Sequence, residues 1–249
     1  MINKEDILKN IINDISLDYD KNEYTTFTKL PTKEELGNIQ KVIFKFNTTL
    51  GDITDYNITH LVLRDFNKNV DKLPKTLIYL NIDGYFTNNV DHLPSNLLYL
   101  NLGGYFNKNI DNLPKSLKKL AFCNLGRFNK SVDNLPPNLE SIYFSRNFNK
   151  SVDKLPNTIK TIKFGREFDK NVDNLPNELK HLFFLDYSCF YKRLDNLPLN
   201  LEYLALSHYY DLPIDFLPIN LKYCDIRQVH FDIEHDFSNL PPDCVIINI

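Results

Sequence analysis

The sequence predicts a repeat solenoid. It has one short parallel β-strand per turn of 20–22 residues, a mostly irregular convex side and a short N-terminal capping helix. Three observations carry this. Leu-Pro recurs at Leu73, Leu93, Leu113, Leu135, Leu155, Leu175, Leu197, Leu217 and Leu240, spaced 20, 20, 22, 20, 20, 22, 20 and 23 residues apart. Self-similarity at such a period is the mark of a stacked array. An aromatic residue holds a fixed place between these dipeptides, at Phe66, Phe86, Phe106, Phe128, Phe148, Phe168, Phe190, Tyr210 and Phe231. Alanine, the strongest helix former, occurs only at 121 and 205, which excludes a mostly helical chain.

The unit Leu93 to Asn112, LPSNLLYLNLGGYFNKNIDN, shows the parts in order. Leu97-x-x-Leu100-x-Leu102 ends in a period-two alternation and so contains a strand. Gly103-Gly104 makes a bend, and the Asn, Asp and Pro of residues 106–114 make turn and extended chain. Four residues after the aromatic stands Val70, Val90, Ile110, Val132, Val152, Val172, Leu194 or Ile214. These positions face inward, because the alternative is a set of exposed apolar stripes. The unit is thus of leucine-rich-repeat type. Strands stacked at ~4.8 Å give about nine to ten turns and a rod or arc roughly 45 Å long. Each turn buries about six apolar side chains at ~1.5–3 kcal/mol apiece, so no turn is stable without its neighbours.

Upstream the pattern decays through Leu61-Val62-Leu63 with Phe66, then Val42-Ile43-Phe44 with Phe46. Residues 1–38 are assigned to a helical cap and 39–249 to the solenoid. Ile7, Leu8, Ile11, Ile12 and Ile15 fall on one helical face, with Asn3 as N-cap. At the other end, residues 244–249 align with Leu97 to Leu102, so the last strand presents an open edge. Such an edge invites pairing with a second copy, as a homodimer or self-assembling structural protein, or with a partner.

Composition excludes several function classes. A net charge of −3 argues against nucleic acid or an anionic membrane as partner. No stretch reaches the ~18 apolar residues of a membrane span, and the acid-bearing N-terminus is no signal peptide. Four cysteines without a CxxC pair indicate a reduced, cytoplasmic protein, in host cytoplasm if viral.

The chain reads as non-catalytic and free of cofactors. His230, Glu234 and His235 miss the inverzincin spacing by one residue. The recurrent Asp (71, 91, 111, 133, 153, 173, 195, 215, 236) reads as a turn residue rather than a calcium ladder, since no Gly-rich loop accompanies it. Asn67, Asn107, Asn129 and Asn149 read as a structural amide ladder, and the Lys row (68, 108, 130, 150, 170, 192) as a solvated face.

Recognition is expected at the outward strand positions, which the core leaves free. Tyrosines, a Phe and a His there are interface-type residues. The 22-residue turns carry insertions at residues 123–127 and 185–189, on one rim, with Arg127, Arg146 and Arg166 between them. The predicted partner-binding set is Tyr99, Tyr143, Arg146, Lys163, Arg166, His181, Phe183 and Tyr203, and the partner is a host or cellular protein.

The unit resembles the FNIP repeat. Its signature survives as Phe-Asn-x-x-Val/Ile-Asp-x-Leu-Pro, as from Phe66-Asn67 to Leu73-Pro74 and from Phe148-Asn149 to Leu155-Pro156, across roughly residues 40–249. The resemblance implies a leucine-rich-repeat relative of the kind found in amoebae and their giant viruses. It also implies, through the F-box many members carry, a substrate-recognition adaptor of a cullin-type ubiquitin ligase. Here Leu30-Pro31 comes late, after a single predicted helix, where an F-box would open with Leu-Pro. At most a degenerate F-box fits residues 1–38.

Overall fold

A computed structural model describes residues 23–185, 187–227, 229–230 and 240–247. The expected capping helix at 4–16 and the pair Glu234/His235 lie outside the described residues. The strands are β1 (Thr25–Phe27), β2 (Lys41–Lys45), β3 (His60–Arg64), β4 (Tyr79–Ile82), β5 (Tyr99–Leu102), β6 (Lys119–Phe122), β7 (Ser141–Tyr143), β8 (Thr161–Phe164), β9 (His181–Phe184), β10 (Tyr203–Ala205), β11 (Tyr223–Asp225) and β12 (Val245–Ile247). Among the described residues one short helix, α1 (Lys33–Leu36), interrupts them; Thr32 and Glu35 form its capping box. All twelve strands join one parallel sheet in chain order.

The chain is therefore a β-solenoid of about 11 turns, against the nine to ten expected from sequence. The difference lies at the start. β1 contributes a single apolar residue, Phe27, yet its backbone still pairs with β2. That strand and α1 both fall within residues 1–38.

The register explains the pattern. Leu100 lies beside Leu80 and Leu120, and Leu102 beside Ile82 and Phe122, so identical positions superpose turn on turn. Leu97, Leu100, Leu102 and Phe106 are fully buried. The aromatic place becomes a column. Phe86, Phe106, Phe128, Phe148, Phe168, Phe190 and Tyr210 stack with centroids 6.0–6.1 Å apart. From β6 to β9 a second Phe stands at the end of the strand or just after it and packs on the column, as Phe144 does on Phe148 at 3.9 Å and Phe164 on Phe168 at 3.7 Å.

Polar consensus residues bond along the same axis. The Asn129 Oδ1 accepts from the Asn149 N–H at 3.0 Å, and the Asn107 Oδ1 from the Asn129 N–H at 3.0 Å. Asn149 serves Asp169 in the same way at 3.1 Å. In the Leu-Pro-x-Asn turn, Asn96, Asn138 and Asn200 donate to carbonyls of the preceding turn at 2.9–3.1 Å. Proline is tolerated there because its carbonyl, not an N–H, is used: Pro94 accepts from Leu97 at 3.1 Å. Gly165 marks the tightest approach. A Cβ at that position would lie 1.9 Å from the Ser145 carbonyl oxygen.

Candidate partner-binding surfaces

Two surfaces remain once the core and its ladders are assigned: the outer face of the sheet and the rim where the strands end.

The outer face carries six of the eight predicted residues, namely Tyr99, Tyr143, Lys163, His181, Phe183 and Tyr203. Pairing places Tyr143 beside Lys163 and Lys163 beside Phe183, and Thr161 beside His181 and His181 beside Tyr203. The expectation that these positions stand open to water is corrected for three of them, while Tyr99, Lys163 and His181 are half-buried. Tyr143 is 4% exposed, Phe183 9% and Tyr203 2%. Neighbours ~4.8 Å away on both sides cover a side chain that one strand alone would leave bare. Phe183 leans on Tyr203 at 5.0 Å, and these two cluster with Ala205, Ile247 and Tyr223. Tyr79, Val62 and Ile43 make a second cluster with Tyr24 and Tyr99 near the other end.

A polar network closes the first cluster. The Tyr203 hydroxyl donates to Asp225 Oδ2, while Arg227 Nε donates to Asp225 Oδ1 at 2.9 Å. Burial raises the Asp225 pKa, but the Arg227 and Tyr203 hydrogen bonds outweigh it, so the carboxyl titrates below its usual range. The Tyr203 phenol is pushed upward by burial and then by its bond to that carboxylate. His60 is lowered by burial and by nearby Lys41.

The rim carries Arg146 and Arg166. Both guanidinium groups approach Glu167, at 3.8 and 3.9 Å. Arg127 lies over the Tyr105 ring at 4.4 Å, and Tyr105 stacks on Tyr85 at 4.4 Å. A shallow depression lined by Leu125, Arg127, Arg146 and Glu167 joins them. Further along the same rim Tyr187 contacts His208 at 4.6 Å and Tyr209 at 6.0 Å. Tyr85 is 62% exposed, Leu125 78% and Tyr187 52%. Sequence reasoning found the three arginines and missed these aromatics. A signal was present: Tyr85, Tyr105, Arg127 and Tyr209 each immediately precede the buried aromatic column, and so point out of it.

Elsewhere the predicted ladders are structural. Asp91, Asp111, Asp153 and Asp173 each accept from an Asn of the next turn at 3.2 Å. Among the described residues no cluster of three or more His, Cys, Asp or Glu could hold a metal ion. Lys192 pairs with Asp169 at 2.9 Å. Alternating charges run beside the strands, with Glu140 between Lys118 and Lys160, and Glu202 between Lys180 and Lys222. Glu140 titrates low chiefly because Lys118 hydrogen-bonds it, and Glu202 because Lys222 does. All four cysteines are free thiols, and no described helix is long and apolar enough to cross a membrane.

This geometry defines a leucine-rich-repeat-like solenoid, a fold that typically serves protein interaction. Within it, residues 89–124 and 151–187 match the FNIP Repeat family model.

Two solved structures show the same architecture. CroV588, a circular leucine-rich-repeat protein of the giant virus CroV, is 27% identical with a TM-score of 0.63 over 83% of this chain. The match spans only 37% of CroV588 itself. The internalin InlF of Listeria monocytogenes is 16% identical with a TM-score of 0.64, over 89% of this chain and 71% of its own. No curated protein sequence is similar enough to count as a relative. The similar structures are repeat scaffolds, generally non-catalytic.

Proposed function

We propose that the chain is a non-catalytic binding module that grips a cellular or host protein along its aromatic–arginine rim. Support comes from one observation above the others. Tyr85, Tyr105, Leu125, Arg127 and Tyr187 lie exposed on the side that also bears Arg146 and Arg166. Tyr and Arg are the residue types that anchor interfaces. Tyr85, Tyr105 and Arg127 already pack on one another, so little side-chain entropy is lost when a partner covers them. Lys163 and His181, half-buried on the outer face, extend this surface inward.

The test is affinity capture from cell lysate followed by mass spectrometry, with Y105A/R146E/R166E run beside the unaltered chain. The expected result is one partner whose yield falls at least tenfold with the variant while thermal unfolding is unchanged. Equal capture by both chains would remove the rim from consideration.

A second reading rests on β12. It is the last described strand of the sheet and pairs with β11, and its apolar residues would suit pairing with a second copy.

A further inference from the structure

The charged rows beside the strands neutralise one another. Lys118 reaches Glu140 at 2.7 Å and Lys180 reaches Glu202 at 3.0 Å. The rim arginines are matched less closely. Arg146 and Arg166 share one carboxylate, and Glu167 Oε1 lies 3.8 and 3.9 Å from their Nε atoms. Both distances exceed a hydrogen bond. Arg127 packs on the Tyr105 ring instead. Among the described residues no hydrogen bond engages any of these three guanidinium groups. Three cations thus face one anion, in a chain whose net charge is −3.

The donors are also positioned. Tyr105 stands between Tyr85 of the turn before and Arg127 of the turn after, each at 4.4 Å. A planar guanidinium over a ring keeps its N–H donors around its edge, where a carboxylate can take two of them. Arg127 and Arg146 border the same depression as the exposed Leu125 and Asn147. The Asn147 side-chain amide makes no hydrogen bond among the described residues, so it can both donate to and accept from a peptide backbone.

The ligand that fits carries carboxylates for the guanidinium groups, a backbone for the Asn147 amide and an apolar side chain for Leu125. Arg127 to Arg166 covers two turn spacings, ~10 Å. An extended chain sets alternate side chains ~6.7 Å apart, so two or three acids within about five residues match that length. A nucleic acid fits less well. Both faces of Tyr105 are taken, which leaves no ring there for a base to stack on, and Glu167 would meet a phosphate.

We propose that the rim between Arg127 and Arg166 docks an extended acidic segment of a protein partner, with its carboxylates on Arg127, Arg146 and Arg166 and an apolar residue on Leu125; this rests on the rim being the binding surface. Partner choice is then set by the charge of a short linear sequence.

The test is selection from a displayed library of random heptapeptides, with the full chain and with R127E/R146E. The unaltered chain is expected to enrich two or more Asp or Glu beside an apolar residue, and R127E/R146E to enrich Lys or Arg. A misfolded variant could not produce that exchange. A labelled peptide from the first pool should lose at least tenfold in affinity with R127E/R146E, and should weaken steadily between about 0.05 and about 0.5 M NaCl. Enriched peptides without acids would overturn the acidic ligand, and the rim reading would survive if Tyr105→Ala still weakened them. Acidic peptides held equally by both chains would place the site elsewhere and overturn the proposal; lysate capture with Y105A/R146E/R166E then judges the rim separately. A library with no enriched sequence overturns it too. So does a single-stranded oligonucleotide that displaces the labelled peptide and binds more tightly.

Discussion

Replacing Phe148 by alanine tests whether the aromatic column, and not the sheet alone, holds the solenoid together. Phe148 is fully buried, and its ring lies 6.1 Å from both Phe128 and Phe168 and 3.9 Å from Phe144, all within 11° of parallel. Losing the ring forfeits up to ~3 kcal/mol of transfer free energy. The remaining cost depends on how far the site collapses. The cavity walls are three rings fixed by their own turns, so collapse is limited and the total should reach the upper part of the ~3–5 kcal/mol range for Phe→Ala. Each turn contacts only its two neighbours, so one weak turn divides the stack. The assay is urea unfolding followed by two probes. At a slope of about 3 kcal/mol/M the midpoint falls by roughly 1.5 M, and the transitions of the two halves separate. The same change at Tyr85, 62% exposed, should move it by under ~0.3 M. A Phe148→Ala cost below ~1.5 kcal/mol, with a single coincident transition, would refute the reasoning.

Further predictions follow from particular contacts. Gly165→Ala drives a methyl into the Ser145 carbonyl and should cost ~1–3 kcal/mol or more by calorimetry; no change in Tm would show that the turns can part freely. Asp225 has a depressed folded-state pKa, so its contribution is complete above the unfolded value of about 3.9 and is lost as pH falls through the lower folded value. Asp225→Asn should therefore destabilise by ~1–3 kcal/mol at pH 7, with the gap to the unaltered chain narrowing below about pH 4; a pH-independent gap would mean that the charge is irrelevant. Cys224, whose thiol burial pushes up to about 12, should resist alkylation at pH 8 while exposed Cys189 reacts; equal rates would mean that the last turns open readily. If β12 pairs with a second copy, sedimentation should show concentration-dependent dimers that Ile246→Pro abolishes, whereas a strict monomer at high concentration excludes self-pairing.

Much of the fold was legible because the period is enforced by superposition. Once Leu100 pairs with Leu120, every consensus residue meets its own equivalent one strand spacing away, and a change at one turn is felt at two others. The Leu93 unit could thus be assigned inward residue by inward residue. The first strand was not legible, since Thr25-Thr26-Phe27 joins the sheet through backbone bonds that any side chains permit. The outer face was misjudged for a different reason. Alternation tells which residues leave the core, but not what covers them afterwards, so Tyr143 and Tyr203 were expected in water and are buried.

The division of labour between consensus and variable positions decides where recognition can reside. Asn107, Asn129 and Asn149 spend their side-chain oxygens on the next turn, and Asn96, Asn138 and Asn200 spend their amides on the previous one. The Asp row is engaged by the following Asn, and Glu140 and Glu202 are each held by two lysines. A side chain committed along the stack axis cannot also bind a partner without giving up an inter-turn bond, at ~1 kcal/mol or more for each. The sequence's most conspicuous rows are therefore the least available for recognition. The residue before the column aromatic varies from turn to turn, and at Tyr85, Tyr105 and Tyr209 it is a large ring facing solvent. A solenoid whose repeats are tied together by their own consensus keeps its shape when those residues change, so partner choice can vary at the rim with little cost in stability.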